Sequence, residues 1–382
     1  MTEHDALSLH AQLHGKIHVA ANAELTEDNL TKFYTPGVAE VSKILADHPE
    51  RWTELTVSGQ TVAVISDGSA VLGLGNVGPV AAIPVMEGKA MLFRALGGVN
   101  AWPIVLSTQD PDEIVAAITA IAPSFAGINL EDIAAPACFE IEQRLQKELS
   151  IPVIHDDQHA TAIVVLAGLY NATKLTSRVL ADARVVVNGA GAAGSGIVRL
   201  LNAAGVKSVT LVDSRGVVSL DREDLTKEKL ALAKLTGVET GGTFSDAVKG
   251  ADILIGVSVA GAFHSDDIKN MAAQPIVFAL ANPEPEILPE QALEAGAAIV
   301  ATGRSDFPNQ INNVLVFPGL FRGLFEAKTS RLTDTHKLAA AQALAEIIED
   351  PTSESIIPSV FDAAVVPAMI RAIGDATIQV EE

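Results

Sequence analysis

Cysteine is nearly missing from this chain of 382 residues: there is one, Cys138. A single thiol excludes an intrachain disulfide, so packing alone must hold the fold, and it suits a reducing, cytoplasmic setting. Basic residues are scarce too, 26 Lys and Arg against 47 Asp and Glu, giving a formal net charge of -21. That balance excludes nucleic acid and anionic membrane as partners, because both call for a basic face. It also means that an anionic substrate must be drawn in by a local cation or metal rather than by the overall field. No apolar run reaches the roughly 20 residues that span a bilayer. The opening MTEHDALSLHAQLHGK likewise lacks the apolar core of a secretion signal. Internal repeats and low-complexity tracts are also missing, and proline and glycine sit in turns, which leaves no long flexible linker.

What is present is material for two cores. Apolar residues make up 48% of the chain, and its length exceeds the size at which one hydrophobic core keeps growing. Residues 1 to about 50 read as polar helices, with Tyr34-Thr35-Pro36-Gly37 starting an apolar-periodic stretch that stops before Pro49. Strand-like runs follow at 61–66, 103–107, 126–130 and 151–155, with helical patterns between them. A second such series begins at ARVVVNGAGAAGSGIVRLLNAAG (183–205) and continues through 208–213, 251–258, 275–282 and 297–302. Alternation of this kind implies parallel strands joined by crossover helices. The expected fold is therefore α/β. Residues 1–159 form an N-terminal substrate- and metal-binding domain and 160–330 a Rossmann-type dinucleotide domain. Residues 331–382 are C-terminal helices packing back on the first domain, at 332–350 and 356–375.

The chemistry concentrates at strand ends. Glu131-Asp132 follows one apolar strand and Asp156-Asp157 another, at the carboxyl edges where open α/β sheets place ligands. One acidic pair alone reads as a helix cap; two in one domain point to a hard divalent cation such as Mg²⁺ or Mn²⁺. His155 and His159 have i, i+4 spacing but lack the glutamate of H-E-x-x-H, so they read as supporting or structural histidines rather than zinc ligands. The pattern G-x-G-x-x-G occurs at Gly73, Gly75, Gly78 and again at Gly189, Gly191, Gly194. Only the second copy follows a strand, opens a helix and precedes a strand ending in an acid, Asp213. Those are the marks of a loop that holds a pyrophosphate at a helix N-terminus. The loop Gly189, Ala190, Gly191, Ala192, Ala193, Gly194 is thus the expected cofactor cradle. Asp213 favours NAD by repelling a 2′-phosphate, and Arg215 offsets that enough to keep NADP possible. The first copy reads as close backbone approach near the substrate or as plain packing. Lys89, in MEGKAMLFR (86–94), is read at the opening of a helix. It is either an ordinary snorkelling lysine or, beside a cation, one whose pKa is lowered toward that of a base. Tyr34 taken alone reads as packing.

Together the segments FYTPGVA (33–39), SDGSAVLGLGNVG (66–78), Gly88-Lys89, NLED (129–132), HDDQHAT (155–161), GAGAAG (189–194), Ala281-Asn282-Pro283 and NNVLVFPG (312–319) resemble the malic enzymes, in their short bacterial form. The resemblance implies oxidative decarboxylation of (S)-malate to pyruvate and CO₂ with NAD(P)⁺ and Mg²⁺ or Mn²⁺, by a cytoplasmic enzyme assembled as a homodimer through its N-terminal helices. By motif position it implies Glu131, Asp132 and Asp157 as metal ligands with Asp156 beside them, Lys89 as general base and Tyr34 as general acid. Asn282 is implied at both cofactor and substrate, with Asn312 and Asn313 at the substrate. The chain departs from the longer eukaryotic members, which carry a carboxylate-clamping arginine shortly before L-G-L-G; here stands Asp67-Gly68-Ser69-Ala70-Val71. The distal carboxylate must be held by another group or by amides. Two other readings use similar parts. A malolactic enzyme would turn malate into lactate, and a non-catalytic NAD-sensing regulator would keep the fold alone. An amino-acid dehydrogenase shares the two-domain plan and a cleft lysine but needs no carboxylate metal site.

Overall fold

A computed structural model describes residues 3–71 and 73–381; Leu72 of the SDGSAVLGLGNVG segment and the extreme ends lie outside it. The chain opens with four helices, α1 (Glu3–Leu13), α2 (Glu27–Phe33), α3 (Val38–Asp47) and the short α4 (Trp52–Leu55). A βα series follows: β1 (Thr61–Ser66), α5 (Pro79–Gly97), β2 (Asn100–Val105), α6 (Pro111–Ile121), β3 (Gly127–Leu130), α7 (Ala137–Glu148) and β4 (Val153–His155). All pairings are parallel, in the order β2-β1-β3-β4. β2 starts three residues before the predicted run and carries Pro103 within it. Proline has no N–H for the ladder, which is why the sequence reads as a strand start there. β2 lies at the sheet edge, where that missing donor is harmless.

Helix α8 (Asp156–Leu175) joins the halves without a linker. Its apolar residues are buried on every side, the pattern of an interior helix, and it packs on α9 (Ala192–Ala203) and α15 (Asp334–Glu346) of the second half. That half contains β5 (Arg184–Asn188), α9 (Ala192–Ala203), β6 (Ser208–Asp213), β7 (Gly216–Val217), α10 (Lys227–Thr236), α11 (Phe244–Val248) and β8 (Ile253–Gly256). It continues with α12 (Ser265–Lys269), β9 (Ile276–Ala279), α13 (Pro289–Glu294) and β10 (Ile299–Thr302). Strand order is β10-β9-β8-β5-β6-β7, parallel except for β7. The chain then runs through α14 (Phe317–Glu326), α15 (Asp334–Glu346) and α16 (Val365–Glu381).

One apolar cluster runs from Val62 and Val64 of the first sheet through α8 to Leu344 of α15, so the two halves share a core. α14 packs on α5 and α16 on α14 and α15. Phe93 of α5 meets Phe317 and Phe321 of α14 with ring centroids 4.7 and 5.4 Å apart. Tilted aromatic pairs of this kind contribute about 0.5–1.5 kcal/mol each beyond area burial, enough to fix α14 behind the first sheet. The helix predicted from Ile356 begins at Val365 instead. Ile356 is buried, but its N–H donates to Asn309 Oδ1 and its carbonyl accepts from Asn171 Nδ2. Both backbone groups are taken by side chains, so an apolar pattern that reads as a helix is held as a loop. Among the described residues no helix is long and apolar enough to cross a membrane.

Candidate active site

The carboxyl ends of β3 and β4 set the acids side by side. Glu131 and Asp132 leave β3, while Asp156 and Asp157 form the first turn of α8. Ligand oxygens of Glu131, Asp132 and Asp157 lie within 4.8 Å of one another. Three hard oxygens at that spacing fit a small divalent cation. Asp132 takes a left-handed backbone, φ +53°, a strained conformation for a residue with a Cβ. Neighbours hold it there: its N–H donates to Asp157 Oδ2 at 3.1 Å and its carbonyl accepts from Ala70 N at 2.9 Å. Ser69 completes the clamp, donating to Asp67 Oδ1 at 2.6 Å and accepting from Ala134 N at 2.8 Å. The Asp67–Ala70 stretch thus braces the acidic loop where the eukaryotic relatives carry arginine. Sequence reading did not assign it that role.

Lys89 sits in the middle of α5, not at its start, because the helix opens at Pro79 and runs through an internal Pro84. Its ammonium donates to Glu131 Oε1 at 2.8 Å and Asp156 Oδ2 at 2.6 Å, and lies 4.1 Å from the Phe317 ring centroid. Burial by itself pulls its pKa down, but Asp156 and Glu131 outweigh that and hold it above the ordinary lysine range. Two buried carboxylates contact the amine and keep it charged; the lowered pKa expected of a lysine beside a cation concerns the cation-loaded site. Burial in turn pushes Asp156 up to about 8, against the pull of Lys89, and Glu131 rises for the same reason. Four carboxylates face one ammonium here, an excess of negative charge that a divalent cation would largely neutralise. Asn313 Nδ2 donates to Asp156 Oδ2 at 2.5 Å, tying the segment before α14 to this corner.

Behind the acids, the histidines meet a residue that the sequence did not single out. Buried Glu142 accepts from His155 N at 2.7 Å, contacts His159 Nε2 at 2.9 Å, and accepts from Gln158 Nε2 at 3.2 Å. Burial tends to raise the Glu142 carboxyl, but the two histidines hold it below the usual range. His155 Nδ1 lies 3.8 Å from Asp157 Oδ2, beside the acids rather than among their clustered oxygens.

A cleft of about 770 Å³ opens over this corner. Asp132, Asp157, Asn282, Asn312 and Asn313 line it, together with Gly191, Ala192 and Ala193 of the second glycine loop. No lysine or arginine is among its described lining residues, in keeping with the missing clamp. Asn312 spends its side-chain oxygen on capping the turn at Val314 N, 3.0 Å away, and meets the cleft with the remainder. Gly73 of the first glycine set takes φ +76°, and a Cβ there would lie 2.7 Å from Asn282 O. This is close backbone approach across the cleft. In the second set, a Cβ on Gly194 would stand 1.7 Å from Gly189 O, whereas Gly191 faces open space. The loop is therefore tight where α9 packs and open where a pyrophosphate would meet the helix N-terminus.

At the end of β6, Asp213 accepts from Arg222 at 2.8 and 3.2 Å and from Lys229 at 2.5 Å. Burial opposes its ionisation, yet those bonds hold it at about 2. Arg215 pairs instead with Asp224, 2.7 Å away. Arg222 and Lys229 escaped sequence reading because they reach Asp213 only through the fold. Tyr34 is 68% exposed, in the turn between helices α2 and α3, which bury none of their residues, and it does not line the cleft.

Comparison with known proteins bears on the whole chain. Residues 14–146 match the family described as malic enzyme, N-terminal domain, and residues 158–373 the one described as malic enzyme, NAD binding domain. The chain is 51% identical to the NAD-dependent malic enzyme of Geobacillus stearothermophilus, over 95% of this chain and 76% of that one. It is 47% identical to the bifunctional malic/malolactic enzyme of Bacillus subtilis, over 98% and 93%. The crystal structure of the NAD-dependent malic enzyme from Thermotoga maritima superposes with a TM-score of 0.93 at 47% identity, covering 97% of this chain and 99% of that one.

Proposed function

The chain belongs to the malic enzyme family, and on that premise we propose that the cleft converts (S)-malate to pyruvate and CO₂ while reducing NAD(P)⁺. The observation that carries the reading is the meeting of Glu131, Asp132 and Asp157 beside Lys89, at a cleft that Asp132 and Asp157 line together with Gly191, Ala192 and Ala193 of the glycine loop. Glu131, Asp132 and Asp157 would hold Mg²⁺ or Mn²⁺, and the glycine loop with α9 the nucleotide. Bound there, the cation would supply Lewis-acid polarisation of the C2 oxygen of malate, and the nicotinamide would supply the hydride acceptor. Lys89 receives the C2 hydroxyl proton. A cation held by Glu131 and Asp157 would take both from the set of carboxylates that hold the ammonium charged, and its own charge would favour the neutral amine that a base requires. Asn282, Asn312 and Asn313 orient the substrate through their amides, taking over from the absent arginine.

Tyr34 supplies the proton to the carbon left when CO₂ departs. It stands outside its own cleft, so it serves in this role where a second copy brings its N-terminal helices over the site. The exposed apolar residues Leu30, Phe33 and Val41 of those helices support a homodimer. We place the enzyme in the cytoplasm. The test follows absorbance at the reduced-nicotinamide band with (S)-malate and Mn²⁺, comparing NAD⁺ with NADP⁺. No absorbance rise with either nucleotide would overturn the assignment. The name of the Bacillus subtilis relative favours a second activity, malate to lactate, which lactate formation without accumulating reduced nucleotide would reveal.

A further inference from the structure

Glu286 is fully buried at the carboxyl edge of the second sheet, in a region the mechanism above does not use. Oε1 accepts from Ser258 N at 2.8 Å and from Ser258 Oγ at 3.1 Å, and Oε2 accepts from Ala281 N at 2.9 Å. Ser258 Oγ in turn accepts from Asn188 Nδ2 at 3.0 Å. The residue's own carbonyl takes Phe263 N at 3.0 Å. Room is kept for it by Gly256, where a Cβ would lie 2.4 Å from Glu286 Cδ. One carboxylate thus spans the loop after β8 (Val257, Ser258, Val259, Ala260) and the loop after β9 (Leu280, Ala281, Asn282, Pro283), and both loops line the cleft.

Strand order says which end of a dinucleotide these loops meet. β5 and its glycine loop lie between β6, which ends in Asp213, and β8. A dinucleotide crossing the sheet at its switch point puts its adenosine toward β6 and its nicotinamide toward β8 and β9. We propose that Glu286 is a positioning residue for the nicotinamide half of the cofactor, fixing the spacing of the two loops that frame it and the setting of Asn282. The proposal rests on the reading that this cleft binds NAD(P). The glycine loop also hangs on β6, where Gly189 N donates to Val212 O at 2.9 Å, and Asp213 ends that same strand. The pyrophosphate and adenosine subsites are thus anchored on the β6 side of the sheet, away from the Glu286 carboxylate.

The test is Glu286→Gln, which keeps the shape but turns an amide N–H against one of two backbone donors. Binding is read by nicotinamide fluorescence for NADH and by competition for ADP-ribose, which lacks the nicotinamide. The expected result is NADH affinity weakened about tenfold, in the range of one unpaired buried donor, with ADP-ribose and Mn²⁺ affinities as in the wild type. Unchanged NADH affinity, or equal losses for NADH and ADP-ribose, would overturn the proposal. If the variant fails to fold, Ser258→Ala removes only the hydroxyl arm and should weaken NADH two- to threefold while sparing ADP-ribose; equal effects on both ligands would again refute it. A wild-type protein that binds neither NADH nor NADPH defeats the cofactor reading itself, a result distinct from either variant's.

Discussion

Replacing Lys89 with methionine separates two roles that the geometry gives one ammonium. Methionine fills a similar volume and keeps contact with Phe317, so the perturbation is mainly loss of charge. In the cation-free protein, the bonds at 2.8 Å to Glu131 and 2.6 Å to Asp156 disappear, leaving two buried carboxylates without their counter-ion. Breaking a buried pair in this way costs about 3–5 kcal/mol. The loss is capped because burial already raises the Asp156 carboxyl, and removing Lys89, which pulls it down, favours its uncharged form further. The effect on cation binding has the opposite sign. Lys89 competes with the ion for Glu131, and a charge-assisted bond of this kind contributes about 1.5–3 kcal/mol. Freeing Glu131 should therefore tighten Mn²⁺ roughly ten- to a hundredfold. Electron paramagnetic titration of free Mn²⁺ measures that gain, and NADH binding reports that the fold and the nucleotide site survive. Malate oxidation should vanish, since no lysine or arginine among the described lining residues of the cleft could replace the lost amine. Undiminished turnover, or weaker Mn²⁺ binding in the variant, would refute both the role of the ammonium and its competition with the ion.

Other expectations follow from the same corner and its support. Ser69→Ala removes the hydroxyl that bonds Asp67 and Ala134, releasing the strained Asp132 backbone. Mn²⁺ should bind several-fold more weakly than in wild type while NADH binding is unchanged, and Asp157→Ala should raise the Mn²⁺ requirement far more. Calorimetry showing Ser69→Ala with wild-type Mn²⁺ affinity would remove the bracing role. Glu142 has a lowered pKa and so has His159, where burial outweighs the nearby carboxylate. Both groups then bind more protons unfolded than folded, so each contributes stability above its unfolded pKa that is lost as pH falls. Urea unfolding should show stability dropping as pH is lowered from about 7 through the ordinary histidine and glutamate ranges. Glu142→Gln should flatten the lower part of that fall, and parallel curves for the two proteins would show that Glu142 does not contribute to it.

Local pattern fixed the α/β class and the type of most elements. β1 at Thr61–Ser66 and β5 at Arg184–Asn188 fall where hydrophobic runs begin and end, because a buried parallel strand must be apolar along its length. The second glycine loop was legible for the same reason: strand, tight turn, helix and terminal acid are consecutive in the chain, so sequence order already contains their geometry. The acids were legible only as two pairs at strand ends. That they meet is a result of β3 lying beside β4 in the sheet, a pairing no local pattern specifies.

Tertiary structure alone decided what each group experiences. Lys89 reads from its neighbours as either a snorkelling lysine or a base beside a cation, and only the fold brings up the residues 42 and 67 positions away that bond its ammonium. Arg222 from a loop and Lys229 from α10 surround Asp213 at the end of β6, and Glu142 of α7 gathers the two histidines, through contacts that arise only when separate segments pack. Tyr34 carries the family motif but lies outside its own cleft, a matter of where α2 and α3 stand rather than of what they contain. Periodicity reports which face of an element is dry. The charge state and reach of a side chain depend on fields and distances set by the whole fold.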